Sequence, residues 1–178
     1  EDHIGSDIPG TLVVEEEKTM EEELVSGIAC ARDEAKITLL RVEDKPGIAS
    51  HIFTPLANAG VNVDMIVQNI APDGKTTDMT FTVSRADLPR ALEVVQNAQI
   101  PCGEVRSADN VAKVSVVGVG MKSHAGVAEK MFGVLGENGI NIQVISTSEI
   151  KISILIEEQH ADLAVQSLHT AYGLEDTA

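Results

Sequence analysis

The sequence predicts an α+β protein built from two βαββαβ units, the first inserted in the second. Three observations carry this: an internal repeat, a change of apolar period from two to about 3.6 and back within each copy, and one strand too few at the carboxyl end. Setting residues 46–67 against 125–146, an offset of 79, places Gly47 on Gly126, Ala49 on Ala128, Phe53 on Phe132, Leu56 on Leu135, Gly60 on Gly139, Asn62 on Asn141 and Ile66 on Ile145. A period of this length is too long for a solenoid and suits a duplicated small domain. Residues 36–40 match 113–117 at an offset of only 77, so the second copy carries a loop two residues longer.

In the first copy, Ile37 to Val42 is a β-rich run broken by the loop Glu43 to Gly47. Ile48, Ile52, Phe53 and Leu56 then recur at helical spacing up to a stop at Gly60. Val61, Val63, Met65 and Val67 alternate with polar residues as a half-buried strand does; Pro72, Asp73 and Gly74 make a turn, and Met79, Phe81 and Val83 alternate again. Asp87 is placed to cap a last helix with the face Leu88, Ala91, Leu92 and Val95. The second copy repeats the plan with Ala112 to Val119, the helix face Val127, Met131, Phe132 and Leu135, strands over Ile140 to Ile145 and Ile150 to Ile156, and a helix ending near Tyr172.

This is the ferredoxin-like order, and it needs a fourth strand after the second helix. The first copy has Gly103 to Ser107, but the second ends with only Leu174 to Ala178. The apolar segment Leu24 to Ala31, ahead of the first copy, has no other home and is expected to supply the missing strand. The boundaries are then 35–108 for the first domain and 24–34 plus 109–178 for the second, with 1–23 an acidic connector.

The chain has 178 residues, 28 of them acidic and 13 basic, with a formal charge of −15 and only four aromatic side chains. This balance argues against nucleic acid, whose phosphates need Lys and Arg and whose bases need aromatic faces, and against an anionic membrane surface. Residues 1–34 carry −9 of the charge. Glu15, Glu16, Glu17, Glu21, Glu22 and Glu23 surround Met20 in a self-repelling stretch that reads as connector. No apolar run reaches the length of a membrane span. Cys30 and Cys102 lack disulfide or zinc spacing and fit a reducing cytoplasm as small buried residues.

Gly118-Val119-Gly120-Met121-Lys122-Ser123 imitates two phosphate motifs and meets neither. Met121 stands where a P-loop needs glycine, and Ser123 where the dinucleotide fingerprint needs its third glycine. Ser123 with His124, or Cys30 with a distant histidine, lacks an oriented third group for nucleophilic catalysis. No catalytic residue and no metal site is expected.

The runs Asp44-Lys45-Pro46-Gly47-Ile48-Ala49, Gly60 through Asn69, Thr76-Thr77-Asp78, Gly118 through His124 and Ile145 through Ile150 resemble the paired ACT domains of bacterial aspartate kinase over Leu24 to Leu174. Gly10-Thr11-Leu12 resembles the segment leaving that family's catalytic domain, and Met20-Glu21-Glu22 an internal start from which some members make this half alone. The resemblance implies a regulatory chain, inactive alone, that acts in allosteric feedback inhibition in aspartate-family amino-acid biosynthesis. It implies a homodimer through its ACT domains, associated with a catalytic amino-acid kinase domain or subunit. It requires no cofactor, and its effectors are threonine and, at one site, lysine.

Carried over residue by residue, one effector site uses Asp44, Lys45, Pro46, Gly47, Ile48, Ala49 and Gln68 of one chain, closed by Asn141 and Ile142 of its partner. The other uses Met121, Ser123, His124, Ala125, Gly126 and Val127 with Thr147 and Ser148, closed by Asn62, Val63 and Asp64. Threonine is favoured at the first and lysine admissible at the second. The chemistry is consistent: unpaired amides at a helix start receive a carboxylate, and Gly47 or Gly126 removes the Cβ that would block approach. The ammonium needs acceptors, for which Asp44, Asp64 and nearby carbonyls qualify. By itself Asp-Lys-Pro-Gly reads as a plain turn, and Asn62 and Asn141 read equally well as turn-stabilising residues. The chain could also serve as an assembly module without effector binding.

Overall fold

The computed structural model describes residues 25–118 and 124–174. In order they form β1 (Val25–Glu43), α1 (Ile48–Asn58), β2 (Ile66–Ile70), β3 (Thr76–Ser84), α2 (Leu88–Asn97), β4 (Glu104–Gly118), α3 (His124–Glu137), β5 (Val144–Thr147), β6 (Lys151–Glu157) and α4 (Ala161–Ala171). The α+β content and antiparallel strand pairing agree with the expected class. Contacts divide the chain into two units. One holds residues 31–113 with 155–159; the other holds 25–30, 114–154 and 160–174 among those described.

The unit of residues 31–113 has strand order β2-β3-β1-β4. β1 pairs antiparallel with β3 from Glu34↔Ser84 to Glu43↔Thr76, and β2 with β3 from Ile66↔Phe81 to Ile70↔Thr77. The β1–β3 register shifts between Leu39 and Val42, where Arg41 takes φ 55 and donates its N–H to Asp78 Oδ1 at 2.9 Å. Period two puts Ala35, Ile37 and Leu39 on the same face as Met79, Phe81 and Val83. Onto that face α1 brings Ile48, Ile52 and Leu56, and α2 brings Ala91 and Val95. Phe53 meets Phe81 edge to face at 5.2 Å. Each fully buried side chain of this size contributes about 1.5–3 kcal/mol.

The other unit has strand order β1-β4-β6-β5, its β1 segment beginning beside the end of β4 through Ser26 Oγ–H donating to Val117 O at 3.2 Å. Its core holds Val114, Val116, Val127, Met131, Leu135, Ile140, Ile152, Ile154, Ala161, Ala164, Leu168 and Tyr172, all buried. The Tyr172 hydroxyl, at the end of α4, donates to Val127 O in α3 at 2.6 Å. Burial pushes the Tyr172 phenol up to about 12.

Several expectations need correction. The expected strands Leu24–Ala31 and Ile37–Val42 are, over the described residues, one continuous strand, β1 from Val25, and those of Gly103–Ser107 and Ala112–Val119 are likewise one strand, β4, from Glu104 to Gly118; Leu24 and Val119 lie outside the described residues. The strands expected from Val61 and Ile140 begin only at Ile66 and Val144. For Val61–Met65 two bonds explain this: Val61 closes the helix end through its N–H to Leu56 O, and Thr82 Oγ1, distant in sequence, takes the Met65 N–H that a regular ladder would use. Asp87 makes no side-chain cap to α2; it pairs with Arg90 at 3.0 Å. Cys30 is exposed rather than buried, and Cys102 is half-buried where it packs against the core of residues 31–113. Residues 175–178 and the connector 1–23 fall outside the described residues.

Candidate functional site

The loop Asp44–Gly47 leaves β1 and starts α1. Glu43 N–H donates to Pro101 O at 3.0 Å and Asp44 N–H to Lys75 O at 3.2 Å, so both ends of the loop's first bond pair are anchored. Gly47 turns the chain into the helix at φ 89, a left-handed conformation that costs any residue with a Cβ about 1–2 kcal/mol. No heavy atom lies within 4 Å of the place a Gly47 Cβ would take. Ile48 N–H donates to Lys45 O and His51 N–H to Gly47 O; the Ala49 and Ser50 amides have no backbone acceptor among the described residues. The helix start has no side-chain cap and no acidic residue in its first turn. Asp44, Lys45, Pro46, Gly47 and Ala49 are exposed, and Ile48 alone is buried.

Gln68 lies on the edge strand β2, opposite Met79 and so on the helix-covered face, at a place where no helix covers it. β2 ends at Ile70, and Ala71 N–H donates to Thr76 O, which itself pairs with Glu43. The start of β3 thus brings the end of β2 and the Asp44 loop to one end of this unit. The intervening turn is held by Asp73, whose carboxylate accepts from the N–H groups of Lys75 and Thr76 and from Thr76 Oγ1; these bonds, led by that from Lys75, hold Asp73 below the usual carboxylate range.

In the other unit, Gly118 N–H donates to Ile150 O at 2.7 Å and Ser148 N–H to Lys151 O at 2.8 Å. The end of β4, from which the chain passes to α3, therefore adjoins the turn after Thr147. Thr147 and Ser148 are exposed there. Met121 and Ser123 lie outside the described residues, as does the His124 side chain. Gly126 is the third residue of α3, which begins at His124, whereas Gly47 precedes α1 in a left-handed conformation. Without a Pro at the equivalent of Pro46, nothing stops the helix from starting earlier. Ala125 is exposed and Val127 buried against the core.

Asn62–Asp64 and Asn141–Ile142 follow the Gly60 and Gly139 turns at φ 74 and 69 and lead into β2 and β5, while Gln68 lies within β2 and Thr147 ends β5. Each segment follows the far end of its helix, about 16 Å along α1 and about 21 Å along α3 from the helix start. Neither unit brings its own asparagine segment to its own helix start. The turns themselves are closed by backbone bonds, Gly60 N–H to Ala57 O and Gly139 N–H to Gly136 O, both at 3.0 Å, without the Asn62 or Asn141 side chains. Ile66 (51% exposed) and Ile70 (73%) on β2, with Ile145 (45%) on β5, leave both edge strands apolar and open. The sequence reading missed Lys113, which forms an ion pair with Asp64; its place in the repeat, opposite Lys36, was the available signal.

Among the described residues, none of the His, Cys, Asp and Glu side chains are grouped to hold a metal ion, and no helix is long and apolar enough to cross a membrane.

Residues 36–98 match the ACT domain family, and residues 114–172 match an ACT domain again. The chain is 39% identical to the regulatory subunit of aspartate kinase from Thermus thermophilus in its ligand-free form, covering 83% of this chain and 98% of that one with a TM-score of 0.77. The chain belongs to the regulatory, tandem-ACT part of the aspartokinase family. A solved structure of aspartokinase alpha and beta subunits matches at 47% identity and a TM-score of 0.78, over 84% of this chain and 99% of that one. The aspartate kinase of Stutzerimonas stutzeri is 54% identical over 173 residues, which are 96% of this chain and 42% of that protein. This chain thus spans less than half the length of the curated aspartokinases it matches, and corresponds to their regulatory rather than their catalytic portion.

Proposed function

We propose that this tandem-ACT chain binds free amino acids and transmits their binding to a catalytic amino-acid kinase domain or subunit, as feedback inhibition of aspartate phosphorylation in the cytoplasm. Threonine is the favoured effector at the site of Asp44–Ala49 and Gln68, and lysine is admissible at the site of residues 121–127, Thr147 and Ser148. The observation that carries the reading is the start of α1: a helix N-terminus with no side-chain cap, no acidic residue in its first turn and the Ala49 and Ser50 amides open, at the end of the unit where the edge strand β2, which bears Gln68, also ends. A carboxylate is stabilised by those amides and by the helix dipole.

The separation of the asparagine segments from the helix starts within each unit supports a homodimer in which Asn141 and Ile142 of one copy close the first site of the other. The same reading makes 35–108 the first ACT domain and 24–34 plus 109–178 the second. Inhibition follows only if the effector binds the inactive arrangement of the kinase more tightly than the active one. Calorimetry of the chain with threonine and lysine tests the proposal. The expected result is threonine binding lost on Gln68→Ala or Asp44→Ala, and unchanged activity of the complete kinase with effector would overturn regulation.

The exposed Ile66, Ile70 and Ile145 favour a second reading, an assembly module that joins kinase subunits without effector. No heat from either amino acid, with the dimer intact, selects that reading.

A further inference from the structure

Asn62–Asp64 is held more firmly than its exposure suggests. Asp64 N–H donates to Thr82 O and Thr82 N–H to Met65 O, each at 3.1 Å, while Met65 N–H donates to Thr82 Oγ1 at 3.0 Å. Thr82 is fully buried. The Asp64 carboxylate is in turn ion-paired with Lys113 Nζ on β4. The Lys113 side chain is 17% exposed against 45% for Asp64, so the ammonium is the more deeply placed partner. The same ammonium acts on Glu34 of β1, a carboxyl that is 9% exposed. A lysine this withdrawn from water needs its counter-charge, and taking the counter-charge away strands it.

We infer that Lys113 is a specificity-determining residue for the Asn62–Asp64 side of the amino-acid site: it occupies the Asp64 carboxylate, so that this side receives a neutral ligand side chain and rejects a cationic one. The inference rests on the effector reading above and narrows it: lysine, admitted there at the site that Asn62–Asp64 closes, is disfavoured at that site, and a neutral amino acid such as threonine is its ligand. Asp64 serves as a structural counter-ion to Lys113, not as an acceptor for the ligand's ammonium. The ligand must find its acceptors among Asn62, nearby carbonyls and the residues across the interface.

The test is calorimetry of the full chain with lysine and threonine as probes, in wild type, Lys113→Met, Lys113→Arg and Lys113→Met with Asp64→Asn. Lys113→Met is expected to tighten lysine relative to threonine about tenfold, the scale of one charge-assisted hydrogen bond. Lys113→Arg keeps the wild-type ratio, and the double variant loses the gain. A purely structural role would move both affinities together and leave the ratio alone. An unchanged ratio, a gain that survives Asp64→Asn, or no lysine binding in Lys113→Met overturns the inference. If Lys113→Met loses the wild-type circular dichroism, Asp64→Asn decides: unchanged lysine affinity supports the inference and weakened affinity overturns it. A wild-type chain that binds neither amino acid refutes the effector reading separately.

Discussion

Ser115 Oγ and Ser153 Oγ lie 2.7 Å apart, buried between β4 and β6, and the equivalent positions of the other copy, Thr38 and Thr80, hold their hydroxyls 3.3 Å apart between β1 and β3. The same cross-strand bond thus recurs in both ACT units. Ser115 and Ser153 are 3% and 4% exposed, so each depends on the other for its hydrogen bond. Removing one partner leaves the other unsatisfied, whereas removing both does not. Ser115→Ala is expected to cost about 1–2 kcal/mol, and Ser115→Ala with Ser153→Ala to recover most of it. Urea unfolding of the four-member cycle measures the coupling, and simple additivity would count against the pairing.

Tyr172 joins the end of α4 to Val127 in α3. Its phenol is raised from 10 to about 12 chiefly by desolvation. The folded state therefore holds the phenol proton more tightly than the unfolded chain, and the resulting stability is fully present below pH 10 and lost as pH rises from 10 to 12. Melting temperature should fall more steeply over that window in wild type than in Tyr172→Phe. The variant itself should lose about 1–2 kcal/mol at neutral pH, since the Val127 carbonyl loses its donor.

Glu34 is raised by burial, against the opposing pull of Lys113. Its folded form favours the proton, so the stability gained is present below the unfolded value of 4.5 and is lost as pH rises through the folded one. At pH 7 its charge is a net liability. Glu34→Gln should raise the melting temperature at pH 7 and flatten the dependence on pH just above 4.5. A lower melting temperature at pH 7 would mean that the attraction to Lys113 outweighs desolvation.

Gly47→Ala should destabilise the chain by about 1–2 kcal/mol, since φ 89 is strained for alanine while the Cβ itself meets open space. Threonine affinity should fall alongside, because the methyl group stands at the mouth of the α1 amides. Gly126→Ala, in the middle of the first turns of α3, should not show the same strain. Equal losses in the two variants would show that the helix starts are equivalent after all.

Ile70, 73% exposed on an edge strand, should tolerate replacement in the fold but not in association. Ile70→Lys is expected to shift sedimentation toward monomer with an unchanged circular dichroism spectrum. Retention of the wild-type sedimentation coefficient would remove β2 from the interface.

The sequence by itself determined the duplication and the order of the elements. Both come from local chemistry: a period of two in the strand Met79-Phe81-Val83, a helical period in Ile48-Ile52-Leu56, and Gly60 and Gly139 where the chain needs positive φ. The Asp44–Ala49 loop was legible too, because Pro46 and Gly47 impose their geometry on any surrounding. Tertiary structure alone decided where strands end and which charges are occupied. Val61–Met65 alternates like a strand, yet the buried Thr82 hydroxyl claims the Met65 amide, a competition between residues 17 apart in sequence. Gly126 matches Gly47 letter for letter, yet it lies inside the first turn of α3 while Gly47 precedes α1. Asp64 reads as an acceptor free for a ligand until the fold sets Lys113 against it, 49 residues later in the chain. An ion pair of that separation has no local signature; it exists because strand order sets β4 where the Asn62–Asp64 segment passes, and because burial makes the lysine hold its counter-charge.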